Sequence, residues 1–401
     1  MGLILNDLKN ACELEHVCDY VNNRTTSSMN YISTENMLPN KGGISESTII
    51  PPGTTTEYKI GDILISNIRP YFQKIWCADR CGGCSADVLC IRAKENTDSK
   101  YLYYLLSQQA FFDYVMSGAK GCKMPRGDKK QIMQWPVNIP AIDVQKKVVA
   151  ILSSLDNKIR LNRRINDNLE EQAKALFKSW FVDFEPFKNG PFADSELGKI
   201  PQGWTIGTLS DVGDVIGGGT PSKAVSEYYT NEGIAWITPR DLSTNNCKFI
   251  SRGETDISEL GYKNSNAKLM PRGSILFSSR APIGYISIAK NEICTNQGFK
   301  SIVPQKAGTC FIYYFLRNNT SKIESMASGS TFKEASGGLM KLLKVIIPTK
   351  EILTNFEKAV QPLFDMQENN EDESIRLSVL RDTLLPKLMS GELSVEEVSF
   401  D

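Results

Sequence analysis

Gly61-Asp62-Ile63-Leu64-Ile65-Ser66 returns 212 residues later as Gly273-Ser274-Ile275-Leu276-Phe277-Ser278. Both stretches run glycine, small polar residue, three apolar residues, serine. Working outward, Tyr101-Leu102-Tyr103-Tyr104-Leu105-Leu106 returns as Phe311-Ile312-Tyr313-Tyr314-Phe315-Leu316 at an offset of 210. Ile139-Pro140 returns as Ile347-Pro348 at an offset of 208, and each pair opens a long helical stretch. A period this long signals a duplicated domain, since solenoid units repeat every 20–50 residues. The copies share an apolar pattern and differ in most polar residues, as expected of two equivalent scaffolds that read different things.

The 401 residues suffice for two or three domains with full cores. Their 41% hydrophobic and 23% charged content is that of an ordinary globular protein. No run of 18 apolar residues suggests a membrane span. Met1-Gly2-Leu3-Ile4-Leu5 is too short for a signal-peptide core, so a cytoplasmic location is expected. Cys77, Cys81, Cys84 and Cys90 cluster, but their spacing is irregular and no second close pair completes a zinc pattern. We read them as reduced thiols and expect no metal site.

The formal net charge is zero, which by itself argues against a nucleic-acid partner. Its distribution argues otherwise. Lys158, Arg160, Arg163 and Arg164 form a run of +4, and Asp365, Glu368, Glu371, Asp372 and Glu373 one of −5. The two runs sit at matching places in the copies and conceal basic charge elsewhere.

Four blocks follow: a globular unit over 1–140, a long helix over 141–182, a second globular unit over 183–348, and a second long helix with a tail over 349–401. The globular units are strand-rich, with short β runs such as Ser301-Ile302-Val303 bounded by glycine and proline. Tyr101 to Tyr114 and Phe311 to Met326 read as amphipathic helices packed on a sheet. Gly217-Gly218-Gly219 reads as a tight loop before a strand; it lacks the lysine and spacing of a phosphate-binding loop.

In the first helix, Val148, Leu152, Leu155, Ile159, Asn162, Asn166, Leu169, Ala173, Leu176 and Trp180 alternate steps of four and three, a coiled-coil seam with asparagines at its centre. The second shows Phe356, Val360, Leu363, Gln367, Asn370, Ser374, Leu377, Leu384 and Leu388, again polar in the middle. Parallel and antiparallel pairing both align these centres; a tandem repeat reaches the antiparallel one more simply. Lys158–Arg164 then faces Asp365–Glu373, and Asn162 and Asn166 meet Gln367 and Asn370, fixing the register. The expected class is α+β: two strand-rich mixed α/β domains separated by two long helices in an antiparallel coiled coil with pseudo-two-fold symmetry. A helix of about 38 residues spans ~57 Å. Two globular units on a stiff rod suit spaced sites on a long regular ligand, of which duplex DNA is the obvious candidate.

Catalytic signals are scarce. His16 is the one histidine, which disfavours a His-dependent triad or a multi-histidine metal site. Methyltransferase, Walker and nuclease motifs are not found. Candidate DNA contacts lie in loops at the repeated strand ends. Arg69-Pro70-Tyr71 follows the first strand and Arg280-Ala281-Pro282 the second, so an arginine recurs where it could grip phosphate or guanine with two donors. Lys120 to Lys130 is a glycine-containing basic loop, with Lys123, Arg126, Lys129 and Lys130 as further candidates. Its counterpart, Ser328-Gly329-Ser330-Thr331-Phe332-Lys333, adds Lys333, and the turn Thr238-Pro239-Arg240-Asp241 adds Arg240.

Several stretches now resemble one family. They are Ile200-Pro201-Gln202-Gly203-Trp204, Gly217-Gly218-Gly219-Thr220-Pro221-Ser222, Trp236-Ile237-Thr238, Arg280-Ala281-Pro282-Ile283-Gly284 and Thr295-Asn296-Gln297-Gly298-Phe299. Leu155-Asp156-Asn157-Lys158-Ile159 and Leu384-Leu385-Pro386-Lys387-Leu388-Met389-Ser390-Gly391-Glu392-Leu393 complete the set. In this order, and duplicated, they resemble the specificity subunit of Type I restriction–modification systems over nearly the whole chain. The resemblance implies two target-recognition domains, each reading half of a split DNA sequence. The helices would set the spacing and dock two modification (methyltransferase) subunits, and a restriction (motor–nuclease) subunit would join the assembly. S-adenosylmethionine, ATP and Mg²⁺ would belong to those partners. The first unit departs from the pattern: Val17 and Asp19 align with Val212 and Asp214 at an offset of only 195, and the Ile-Pro-Gln-Gly-Trp lead-in is missing. Two other readings compete with a non-catalytic DNA reader: a self-contained DNA enzyme, and a scaffold whose globular units bind protein.

Overall fold

In the computed structural model, which describes residues 11–26, 30–47, 53–245, 247–328 and 333–395, each repeated strand starts at a glycine with left-handed backbone. Gly61 has φ 89° and Gly273 φ 85°, a conformation that costs glycine alone nothing. The strands that follow, Ile63–Ser66 and Ile275–Ser279, are buried on both faces. Alternation sends Ile63 and Ile65 to one core and Leu64 to another, and likewise Ile275 and Phe277 against Leu276.

Two compact units divide the chain. The first comprises Met1–Ile159 with Arg376–Asp401, and the second Arg160–Ile375. Each combines a globular body with a part of both long helices, Ile142–Phe181 and Lys350–Ser390.

The first unit holds a four-stranded antiparallel sheet in the order Cys18–Tyr20, Val88–Ala93, Ile63–Ser66, Ile75–Cys77. The second repeats that order with Gly213–Gly217, Lys300–Pro304, Ile275–Ser279 and Ile283–Ala289, and adds Phe249–Ile250 in parallel at the edge. A small strand pair closes each body: Cys12–Glu13 with Pro136–Val137, and Thr205–Thr208 with Lys344–Ile347. The shortened offset of 195 is visible here, since Leu14 donates its N–H to Trp135 O and Leu209 its N–H to Leu343 O.

One face of each sheet packs on the helices. In the first unit Ile63, Leu89 and Tyr101 share a core with Val148 and Leu152 of one long helix and Leu385 and Leu388 of the other. In the second, Phe277 and Phe311 share a core with Phe177, Phe181, Phe356 and Phe364. Each such side chain, once buried, contributes about 1.5–3 kcal/mol. The helices therefore depend on the sheets as much as on each other.

Two expectations change. The segment from Tyr101 to Tyr114 is two helices, Ser99–Leu106 and Gln109–Ser117, because Gln108 takes an extended backbone (ψ 146°). Apolar spacing hides the break, since both pieces bury the same kind of face. The Gly217–Gly219 run ends the strand Gly213–Gly217 instead of leading into one.

The helix segments within each unit run antiparallel. In the second unit the Asn162 amide donates to Glu373 Oε2 at 2.7 Å, and the Asn166 amide to Gln367 O at 3.0 Å. Gln367 donates back to Asn166 O at 3.0 Å, and Asn370 to Asn166 Oδ1 at 2.8 Å. In the first unit Arg381 pairs with Asp156 at 2.8 Å, and Asp156 also accepts from the Tyr104 hydroxyl at 2.7 Å.

The two runs do meet at Asn162 and Glu373, but three acids of the acidic run turn to other partners. Glu368 pairs with Arg272 at 2.6 Å, Asp372 binds Lys290, and Glu371 accepts the N–H groups of Lys248 and Phe249. These acids anchor the second unit's own sheet loops to its helix. Lys248 reaches further in, with its amine 2.8 Å from both Glu170 and Gln367 and 3.4 Å from the centroid of the Phe364 ring. Burial pushes the Lys248 pKa down to about 8 against the pull of Glu170.

Candidate nucleic-acid interface

The predicted contact residues fall into one group in each unit, built on the same hairpin tip. In the first unit the tip joins Ile63–Ser66 to Ile75–Cys77. It contains Arg69, a turn over Pro70–Phe72, and Gln73, with Arg69 and Gln73 both at φ 50°. The Arg69 N–H donates to Pro125 O at 2.8 Å, and Ile68 pairs with Arg126 across a bridge. That bridge draws the basic loop onto the hairpin tip, so Arg69, Tyr71, Lys123 and Arg126 belong to one surface. Asp128 caps the helix Lys129–Met133 by accepting from Lys130 and Gln131, which projects exposed Lys129 and Lys130 from its first turn. The Lys120 ammonium, together with those two N–H groups, holds the Asp128 carboxyl below its usual range. Arg126 meets Asp87 at 3.1 Å. Arg69, Lys123, Lys129 and Lys130 make no ion pair among the described residues.

In the second unit, Arg240 and Arg280 line a common cleft of ≈740 Å³ with Lys223, Asn296 and Gln297. Arg240 sits in the first turn of the helix Pro239–Asn245. Asp241 holds that turn by accepting from Thr238 N at 2.7 Å, Thr238 Oγ1 at 2.6 Å and Glu254 N at 2.8 Å. Arg280 lies 3.7 Å from Glu334, which also takes Lys300 at 3.2 Å. Lys333 is exposed beside Glu334. Positions 329–332 of its loop lie outside the described residues.

The two arginines do not share one structural position. The Gly127 N–H donates to Asn67 O, and the Ala335 N–H to Ser279 O. Arg280 therefore corresponds to Ile68, and Arg69 to Ala281. Arg69 and Ala281 both have φ 50° and precede a proline. The 212-residue offset of the preceding strands already aligns Pro70 with Pro282 and so Arg69 with Ala281; matching the two arginines, 211 apart, overlooked it. By the same register Glu334 occupies the place of Arg126, so the second loop is acidic where the first is basic.

Asn296, Gln297 and Lys223 were not singled out from sequence as contacts. The available signal was the glycine run. A Cβ at Gly218 would collide with Asn296 O and Thr295 O, so that strand end can press against the loop bearing the two amides. Four backbone bonds then hold this loop: Gly219 N–H to Thr295 O, Asn296 N–H to Ile237 O, Ser279 N–H to Gly298 O, and Phe299 N–H to Asn296 O. Gln297 is further tied to the Thr220 hydroxyl. The cleft thus offers two guanidinium groups and two pre-positioned amides, the donor and acceptor types that read purine edges.

The four register residues, Asn162, Asn166, Gln367 and Asn370, come together on the helices of the second unit, as described above. His16 is exposed, and its ring Nδ1 lies 3.2 Å from Glu13 O.

Comparison with known proteins agrees with this architecture. A family model described as the Type I restriction modification DNA specificity domain matches residues 10–171 and 201–373. The HindI specificity subunit of Haemophilus influenzae is 28% identical, over 90% of this chain and 94% of its own. The MjaIX specificity subunit of Methanocaldococcus jannaschii is 37% identical over 46% of this chain and 43% of its own. Among solved structures, the Type I restriction-modification S subunit from M. genitalium shares the fold, with a TM-score of 0.57 at 15% identity, covering 97% of this chain and 98% of that one. A duplicated sheet-and-helix body, twin loop surfaces with basic residues and a family match over both copies lead to one assignment: the chain belongs to the Type I restriction–modification DNA specificity family, as a non-catalytic sequence-recognition subunit.

Proposed function

We propose that each unit reads one half of a bipartite DNA site, the first through the hairpin tip and its basic loop, the second through the arginine-lined cleft. One observation carries this reading. Equivalent hairpin tips, in matching register, present different side chains, as two readers of unlike sequences would. The long helices set the distance between the half-sites and dock two modification subunits, which bring S-adenosylmethionine. Restriction subunits, with ATP and Mg²⁺, join the same assembly. The chain then works in the cytoplasm, beside the DNA; no described helix is long and apolar enough to cross a membrane.

Methylome sequencing of the host with and without this chain tests the reading. Loss of one bipartite methylation motif is the expected result. Unchanged methylation, or loss of a motif with a single uninterrupted half, overturns it. Binding that falls steeply with salt separates DNA contact from a protein scaffold.

A further inference from the structure

The hairpin tip of the first unit carries more than charge. Its backbone is held on both sides, by Arg69 N–H on Pro125 O at 2.8 Å and by Asn40 N–H on Phe72 O at 2.8 Å. Pro70 is buried beneath it. From this fixed turn Tyr71 stands 48% exposed, and Met124, next to the Pro125 clamp, is also 48% exposed. The Phe72 ring backs Tyr71, with centroids 4.7 Å apart. The same tip, basic loop and following helix carry Arg69, Lys123, Lys129 and Lys130, which make no ion pair among the described residues. The second unit has Ile283 at the place of Tyr71, part-buried against the core, and Gly284 at the place of Phe72.

An exposed apolar patch with a polar rim marks an interaction site, and this tip and the loop clamped to it expose Tyr71, Phe72 and Met124. Here the cations of the same tip and loop indicate which partner. A phosphate backbone neutralised by those cations would bring a base stack onto Tyr71 and Met124, and the stack is the apolar part of that ligand. We propose that Tyr71 and Met124 form a wedge that enters a base-pair step of the first unit's half-site. Part of that half-site is then selected by how easily the step unstacks, which favours pyrimidine–purine steps. The second unit has Ile283 and Gly284 in place of Tyr71 and Phe72, and reads by hydrogen bonds in its cleft. The inference rests on the first unit being a DNA reader.

The test uses the full chain in complex with its modification subunits. The probe is duplex DNA carrying the methylation motif that depends on this chain, with 2-aminopurine placed at successive positions through both half-sites. Beyond the methylation-target positions, which a methyltransferase brightens in both half-sites by flipping the base, fluorescence should rise at one step of the first unit's half-site only. Tyr71→Ser with Met124→Ser should remove that rise and weaken binding about tenfold, while Tyr71→Phe keeps it. The wedge is overturned if no position other than the methylation targets brightens at saturation, or if that additional signal survives the double substitution. It is equally overturned if the double variant binds DNA normally but no longer assembles with the modification subunits, which would mark a protein-docking surface. Lys129→Ala with Lys130→Ala checks the underlying reading. If affinity and its salt dependence stay unchanged there, the first unit does not read DNA, and the wedge falls with it.

Discussion

Arg280 extends into the cleft of the second unit with one acidic neighbour among the described residues, Glu334 at 3.7 Å. That distance is too long for a strong ion pair, and Lys300 competes for the same carboxylate. The guanidinium is free to turn to a ligand, so Arg280→Ala should leave thermal stability nearly unchanged and weaken cognate binding about tenfold, within the 1–3 kcal/mol of a good base contact. If it reads a base, one position of the half-site loses its preference; a phosphate contact would weaken all sequences alike and lower the salt slope by about one. Titration against single-base variants of the site distinguishes the two, and unaltered affinity would remove Arg280 from the interface. Lys248 is the contrasting case, an amine buried within the fold. Its folded pKa of about 8 lies below the usual lysine value of 10.5. Between those values the unfolded chain binds more protons at Lys248, so this residue's contribution to stability rises with pH across that window, while buried thiols with raised pKa, such as Cys18 and Cys294, pull the other way. Lys248→Met removes that contribution, so the stability of the unaltered chain relative to the variant, measured by urea unfolding, should grow from pH 7.5 to pH 10. A purely local sequence reading could find the exposed arginines but not Lys248, whose role depends on Glu170 and Gln367, 78 and 119 residues away.

At the scale of elements, the helix seams were legible because they are periodic. Val148, Leu152, Ile159, Leu169 and Ala173 are all buried where the alternating steps placed them. Charge was less legible, because a run of acids does not reveal which neighbour it meets. Glu368, Glu371 and Asp372 turn to sheet loops of the second unit, whose position no periodicity encodes. The polar centre of the seam also exceeds simple pairing. Asn166 alone engages Gln367 twice and Asn370 once. Removing its side chain would strand the Asn370 amide and the Gln367 carbonyl in a half-buried site. Asn166→Ala should therefore cost about 1–3 kcal/mol, the penalty for unsatisfied buried polar groups. Exposed Asn168, two residues on, serves as control, and its alanine variant should stay within about 0.5 kcal/mol. Equal midpoints in urea for both variants would show that the ladder does not hold the register.

For the whole molecule, duplication was the readable property, since Gly61 and Gly273, or Leu14 and Leu209, keep their roles in both copies. The tips keep the strands' offset of 212, with Pro70 matching Pro282, and the expected match of the two arginines was one residue out. If the helices act as a spacer, their length and the pitch of DNA are coupled, and the coupling can be tested. One heptad inserted after Ile159 and one after Ile375 falls at the boundary between the two units and spares the contacts inside each. It lengthens the pair by ~10.5 Å, about three base pairs at 3.4 Å per step. Three base pairs also turn the duplex by roughly 100°, given 10–10.5 base pairs per turn. A heptad leaves a residue's facing on its own helix almost unchanged, within ~20°. One heptad should therefore widen the preferred spacer by about three base pairs while lowering affinity, because the half-sites no longer face their readers together. Three heptads add ~31.5 Å, close to one full turn of DNA, and should recover much of that affinity with a spacer wider by nine or ten base pairs. Selection from a library of spacer lengths measures both variants at once. A preferred spacer that stays the same in both would show that the helices do not measure the site.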